Sequence, residues 1–165
     1  MVTRGAKLAL LAAVALFYAL IVFNNLTDFE SNLQFVRHVL SMDTTFPGNR
    51  GMVRALPWPA AHLAFYWGII AWEMLNALLL GWGTLRLLGN LRSPAAEFNA
   101  AKKTAIAALT LSLLMWLGAF LAIGGEWFLM WQSHLWNGQS TAGRNFAVAG
   151  IVLIVLLQPD RDQQP

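Results

Sequence analysis

The chain has 165 residues, enough for one domain or one small bundle and too few for a separate catalytic domain. Hydrophobic residues make up 58% and charged residues only 12%, about half the usual share, so a compact chain of this size has too little polar surface to face water on all sides. The absence of cysteine removes disulfides, thiolate metal sites, iron–sulfur clusters and cysteine nucleophiles, while the formal charge of +3 matters chiefly for where it lies.

Four apolar spans follow in chain order. Leu8 to Phe23 is broken only by Tyr18, and with its flanks (about 6–24) it reaches the ~20 residues needed to cross ~30 Å of hydrocarbon. Arg4 and Lys7 precede it, as in a signal peptide. The run is long, however, and Asn24-Asn25 follow without a small-residue cleavage site, so a retained helix is expected. The second span, about 60–88, begins at Pro57 and Pro59 and exceeds a minimal crossing, which requires tilt or projection. The third, about 104–124, is rich in Leu and Ala and ends at Gly124-Gly125. The fourth is the weakest, because Phe146 to Leu157 covers only ~18 Å at about 1.5 Å per residue. A crossing there, about 141–158, must draw Arg144 into the helix before Pro159 and the polar tail 160–165 end it.

Basic residues orient the spans. With the N-terminus inside, Arg4, Lys7, Arg86, Arg92, Lys102, Lys103 and Arg161 lie on the inner side, and Arg37, Arg50, Arg54 and Arg144 on the outer. Both termini are therefore expected in the cytoplasm. The outer loops, 25–59 and 125–140, are longer than plain helix connectors. Phe29, Leu33, Val36, Val39 and Leu40 recur at helical spacing in the first, as do Trp127, Met130, Trp131, His134 and Leu135 in the second. The expected fold is an all-α polytopic membrane protein, a single four-transmembrane-helix bundle over residues 1–165 with short amphipathic helices in the two outer loops.

Asn24-Asn25-Leu26-Thr27-Asp28, the stretch from Phe35 to Thr44, and above all Gly124-Gly125-Glu126-Trp127-Phe128 with Met130-Trp131-Gln132-Ser133 and Trp136-Asn137-Gly138-Gln139 carry a family resemblance. The chain resembles the bacterial predicted small integral membrane proteins termed domain of unknown function 2165, over nearly its whole length. The resemblance implies a four-span inner-membrane protein and no particular activity.

Glu73 stands near the middle of the second span, where a charged carboxylate costs ~2.5–3.5 kcal/mol on insertion scales. It must face the bundle interior, find a partner or be protonated, and Asn76 lies three residues on, on the same helical face. Either the pair forms an intramembrane proton or cation site, or a neutral carboxyl hydrogen-bonds between helices. Glu126 and Arg144, near the outer ends of the third and fourth spans, suggest an ion pair that pins the helices. The sharper alternative is a ligand carboxylate held by Arg144 with Gln132, Asn137 and Gln139 nearby. His38, His62 and His134 all fall on the outer side, and a copper or zinc site could recruit Met42, Met52 or Glu126, but no histidine pair has metal-ligand spacing. Trp58, Trp82, Trp127, Trp131 and Trp136 suit membrane-interface anchors, whereas Trp67, Trp72 and Trp116 lie deeper and could line a quinone or lipid pocket. Gly118 with Ala122, and Ala77 with Gly81, give small-xxx-small spacings for close helix approach.

No nucleotide-binding, nucleophile-elbow or zinc-protease motif is present, and topology accounts for the basic residues, so neither an enzyme nor a nucleic-acid partner is expected. The expected function is that of a non-enzymatic inner-membrane protein, without a cofactor beyond bound lipid. It would act in the bilayer as a homo-oligomer or as an accessory subunit of a larger membrane complex, with a periplasmic recognition surface. The alternatives are proton- or cation-coupled transport through Glu73, and a quinone- or haem-binding redox subunit.

Overall fold

The computed structural model describes residues 1–161; positions 162–165 of the polar tail lie outside the described residues. Six α-helices follow one another: α1 (Val2–Thr27), α2 (Phe29–Ser41), α3 (Pro59–Gly89), α4 (Ala95–Ala101), α5 (Lys103–Leu114) and α6 (Gln139–Leu157). α5 runs on without a break into a π-helical segment, Met115–Trp127, so that 95–127 forms one continuous rod. Four of these rods are long and apolar enough to cross a membrane. The chain is an all-α polytopic membrane protein. α1 packs on α3, α3 on α5 and α5 on α6, and α6 returns to α1 to close the bundle.

The surface shows the lipid-facing logic directly. Leu16, Leu20, Leu78, Leu85, Ile151 and Ile154 point outward, more than half exposed, while Arg4, Lys7, Glu73, Asn76, Lys102, Ser112 and Asn145 are buried. Water would favour the reverse distribution, and a surface this apolar is stable only against hydrocarbon. Each rod keeps a narrow inward stripe. On α1 it reads Arg4, Lys7, Leu11, Val14, Tyr18, and on α6 Ala142, Asn145, Ala149, Val152, Leu156, both at alternating spacings of three and four.

The helix ends follow local chemistry. Pro59 opens α3, where its missing N–H costs nothing. Pro94 precedes α4, whose first turn holds Glu97 near the positive end of the helix dipole. The Asn137 side chain accepts from the Gln139 N–H at 3.1 Å to start α6, and Gln158 turns to extended backbone ahead of Pro159.

The termini and the α3–α4 turn share one end of the bundle, here the terminal end; both long loops share the other, the loop end. Across the loop end lies α2, whose Leu33, Val36 and Leu40, with Met42, pack on Tyr66, Ile70, Phe128 and Met130. The second loop differs from the helix that its spacing predicts. Leu129 adopts a left-handed φ of 55° and stops the helix, leaving a single 3₁₀ turn at Met130–Gln132. Of the expected apolar face only Met130 is buried, while Trp127, Trp131 and Leu135 are exposed.

Within the chain, close helix approach occurs at a different glycine. A Cβ on Gly83 would stand 3.0 Å from the Ala105 methyl and 3.1 Å from its backbone, which marks the α3–α5 contact. Gly81 and Gly118 face open space instead.

Candidate functional site

Below the loop end, α1, α2, α3, the π-helical segment and α6 enclose a cavity of about 400 Å³. That lies within the ~300–1,000 Å³ range of small-molecule pockets. Its walls are mainly apolar and aromatic, with Phe17, Phe35, Trp116 and Phe120 prominent. Polar side chains reach it from four helices: Asn25 from α1, Asn32 from α2, Tyr66 and Glu73 from α3, and Thr141, Arg144 and Asn145 from α6.

Glu73 is 2% exposed. Its Oε2 accepts from the Asn25 Nδ2 at 2.6 Å, and no other hydrogen bond or ion pair reaches it among the described residues. Asn25 is held in turn by the Tyr66 hydroxyl, which donates to its backbone carbonyl at 2.9 Å. Asn145 is 6% exposed and makes no hydrogen bond among the described residues, so its amide is open to the cavity. Arg144 is exposed at the rim and forms no ion pair among the described residues. A carboxyl and a guanidinium thus line one cavity with no ion pair between them among the described residues, beside an amide open to the same space.

The expected partnership of Glu73 and Asn76 is not formed. Asn76, fully buried one turn nearer the terminal end, turns to α5. In the amide orientation that satisfies both neighbours it donates to the Ala108 carbonyl at 2.7 Å and accepts from the Ser112 N–H at 3.3 Å. An α-helix would pair that carbonyl and N–H with each other, so Asn76 bridges one rung of the ladder. Three residues later the backbone takes the wider π register, in which the Phe128 N–H reaches the Ile123 carbonyl at 3.0 Å. Beside Asn76 the Tyr18 hydroxyl bonds the Ser112 hydroxyl and accepts from the Trp116 indole N–H at 2.8 Å. These residues form a satisfied polar layer that floors the cavity. Beyond it Leu11, Leu80, Ala105, Ala108 and Leu109 are fully buried and fill the bundle with hydrocarbon.

The other residues singled out from sequence are dispersed. Glu126 is exposed, and no ion pair joins it to Arg144. Arg144 lies five residues into α6, about 7.5 Å down the axis, which carries it below the loop and into the cavity wall. Glu126 stays at the surface, where its backbone carbonyl accepts a long 3.5 Å bond from Arg54. Gln132 accepts from the Phe46 N–H at 3.1 Å and ties the two loops together. Gln139 packs against Gly125, where a Cβ would stand 2.7 Å from its Nε2. Gln132, Asn137 and Gln139 therefore shape the loop end.

The three histidines occupy separate environments. His38 bonds Asp43 at 2.9 Å and stacks on Trp136, with ring centroids 4.6 Å apart. The His62 Nε2 donates to the Leu56 carbonyl at 2.6 Å. Among the described residues, no hydrogen bond or ring contact joins His134 to either. Among the described residues no group of three His, Asp or Glu side chains could hold a metal ion. Trp67 and Trp72 are partly exposed on the lipid-facing surface, and of the deeper tryptophans Trp116 alone lines the cavity.

Sequence reasoning missed Asn25, Tyr66 and Asn145. Asn145 carries a signal, since it falls on the inward stripe of α6, whereas the sequence marks Asn25 as the end of a span and part of a family motif without giving it a partner.

The family described as predicted small integral membrane protein (DUF2165) matches residues 3–159. No match is found among curated proteins or among solved structures.

Proposed function

Because the chain belongs to this family of small integral membrane proteins, we propose that it is a non-enzymatic membrane receptor or accessory subunit that binds a small amphipathic molecule in the loop-end cavity. The observation that carries this reading is the convergence of Glu73, Arg144 and Asn145 on one mostly apolar cavity in which none bonds another. Such a mixture suits a guest with an apolar body and a polar head. Glu73 is buried while Arg144 is exposed at the rim, so the field deep in the cavity is that of the carboxyl. The preferred head is therefore cationic or a hydrogen-bond donor.

The distribution of basic residues favours a bacterial inner-membrane protein with both termini cytoplasmic, which turns the cavity toward the periplasm. Gly81 and Gly118, which meet nothing within the chain, suit contact with a second copy or a larger complex.

The test is thermal unfolding in lipid nanodiscs with hexylamine, hexanol and hexanoate as water-soluble probes. Hexylamine is expected to raise the midpoint most, and the Glu73→Gln variant to lose that preference. Equal shifts from all three compounds in both proteins would defeat the proposal. A monodisperse monomer in native-like lipid that captures no membrane partner would remove the accessory-subunit part.

A second reading, proton or cation transport, is favoured by the single hydrogen bond that Glu73 receives. It requires the Tyr18–Ser112–Trp116 layer and the apolar core below it to open. Unchanged flux in liposomes carrying Glu73→Gln rules that carboxyl out of a pathway.

A further inference from the structure

The terminal end carries a second polar assembly, of opposite sign to the cavity. Asp160 bonds Lys102, and it accepts from the Lys7 Nζ at 2.6 Å. The Arg4 guanidinium lies 3.9 Å from its other oxygen. Lys102 is saturated, since its remaining donors reach the Asn99 Oδ1 at 2.7 Å and the Gln158 carbonyl at 2.9 Å. Lys7 uses a second proton on the Gln158 carbonyl at 2.6 Å, and its third has no acceptor among the described residues. Arg4 is held by the Ser93 carbonyl at 2.6 Å and lies over the Phe98 ring at 4.8 Å. These cations are fixed before any ligand arrives.

Arg4 and Lys7 border an open cleft of about 900 Å³ between the start of α1, the α3–α4 turn and the end of α6. Arg4, Lys7, Arg92 and Arg161 line it, and among the described residues Asp160 is the one acidic side chain that does. Sidedness of insertion explains why basic residues gather at one end of a membrane protein, but loose, solvated side chains would serve that purpose. It does not explain why Lys7 and Lys102 are more than nine-tenths buried around a shared carboxylate, an arrangement that opposes desolvation with fixed geometry. A preorganised cationic cleft of this kind fits a phosphate group.

We propose that the terminal-end cleft binds the phosphate of an anionic phospholipid headgroup, with Lys7, Arg92 and Arg161 as its contacts. A lipid fits better than a soluble phosphate because of where the cleft lies. Its apolar wall includes Val155 of α6 and Ala6 of α1, the two helices that also carry the exposed Leu10, Ile154 and Leu157 toward the hydrocarbon. A headgroup there keeps its acyl chains along α1 and α6. The proposal is independent of the cavity around Glu73.

The experiment measures lipid retention by native mass spectrometry, on protein equilibrated with mixed phosphatidylglycerol and phosphatidylcholine, with and without inorganic phosphate. Arg92 and Arg161 are exposed, so the double variant Arg92→Gln/Arg161→Gln is expected to fold, whereas Lys7→Met tests the buried contact. Wild type is expected to retain phosphatidylglycerol preferentially. The preference should fall about fivefold per arginine removed and weaken with salt. Arg37→Gln, an exposed arginine at the loop end, should leave it intact. Displacement of phosphatidylglycerol by inorganic phosphate at low concentration would support the site but reassign its guest to a soluble phosphate. Equal retention of the two lipids, a preference that survives the double variant, or an equal loss in Arg37→Gln would overturn the proposal.

Discussion

Asp160 and Glu73 are both buried carboxyls, yet their surroundings differ in almost every respect. Asp160 is bonded by two lysines, with Arg4 close by, and Asn99 secures its backbone through bonds of 2.9 and 3.1 Å. Glu73 is met by one amide and looks into a cavity. Between them lie the Tyr18 layer and a core of hydrocarbon side chains. The contrast separates two uses of a buried carboxyl. At the terminal end the acid is consumed by structure, joining the start of α1, the α4–α5 junction and the residues after α6. At the loop end the acid is left available, which a folding role alone does not require.

The largest effect should come from the terminal end. Asp160→Asn keeps the size of the side chain but leaves Lys7 and Lys102 buried without their counter-charge, and breaking a buried pair in this way costs about 3–5 kcal/mol. Thermal unfolding in detergent should show a large loss, and a neutral result would mean that the cluster is solvated. Acid makes the same change reversibly. Burial opposes ionisation of Asp160, but hydrogen bonds from Lys102 and Lys7, and their charges, more than offset it and hold the carboxyl below its ordinary value of 3.8. A depressed folded-state value contributes stability that is present in full above the ordinary value and is lost as the pH falls through the folded one. Stability should therefore decline below about pH 4 through Asp160, and that decline should vanish in Asp160→Asn.

Next in size are changes to what separates the two ends. Gly83→Leu drives a side chain into Ala105, and overpacking of this kind costs about 1–3 kcal/mol. Gly81→Leu, two residues away in open space, should be tolerated, so the matched pair measures the α3–α5 contact in the same unfolding assay. Tyr18→Phe removes the hydroxyl shared by Ser112 and Trp116 and should cost about 1–2 kcal/mol. If the layer seals the cavity, the variant should also admit water, seen as faster hydrogen exchange at the Trp116 indole N–H.

The fold was legible because span length and apolarity are properties of the chain itself, and α1, α3 and α6 begin and end within a few residues of the expected limits. The loop-end helix α2 was legible from its spacing. The short 3₁₀ turn at Met130–Gln132 was not, since a left-handed Leu129 has no signature in composition. Glu73 was found because a carboxyl in an apolar run is conspicuous. Its partner was misplaced because helical spacing ranks neighbours on one helix, whereas Asn25 lies on another and 48 positions earlier. Arg4 and Lys7 look like plain orientation signals in the sequence, yet they occupy the inward stripe with Leu11, Val14 and Tyr18. Asp160 sat in a polar tail, and nothing in the chain assigns it to Lys7 and Lys102 before the helices are assembled.

The smallest effect on stability should come from Glu73→Gln, and it is the change that sharpens the comparison most. Glutamine keeps the length and one carbonyl oxygen, enough to accept the Asn25 amide, so the bundle should lose or gain less than about 1 kcal/mol. It removes an ionisable group that has no counter-ion among the described residues, whereas Asp160→Asn removes a carboxylate bonded by two lysines. A protein that unfolds normally but no longer distinguishes hexylamine from hexanoate would separate binding from folding at this position. A loss of stability as large as that of Asp160→Asn would instead place Glu73 among the struts of the bundle, and the loop-end cavity would lose its claim to be a site.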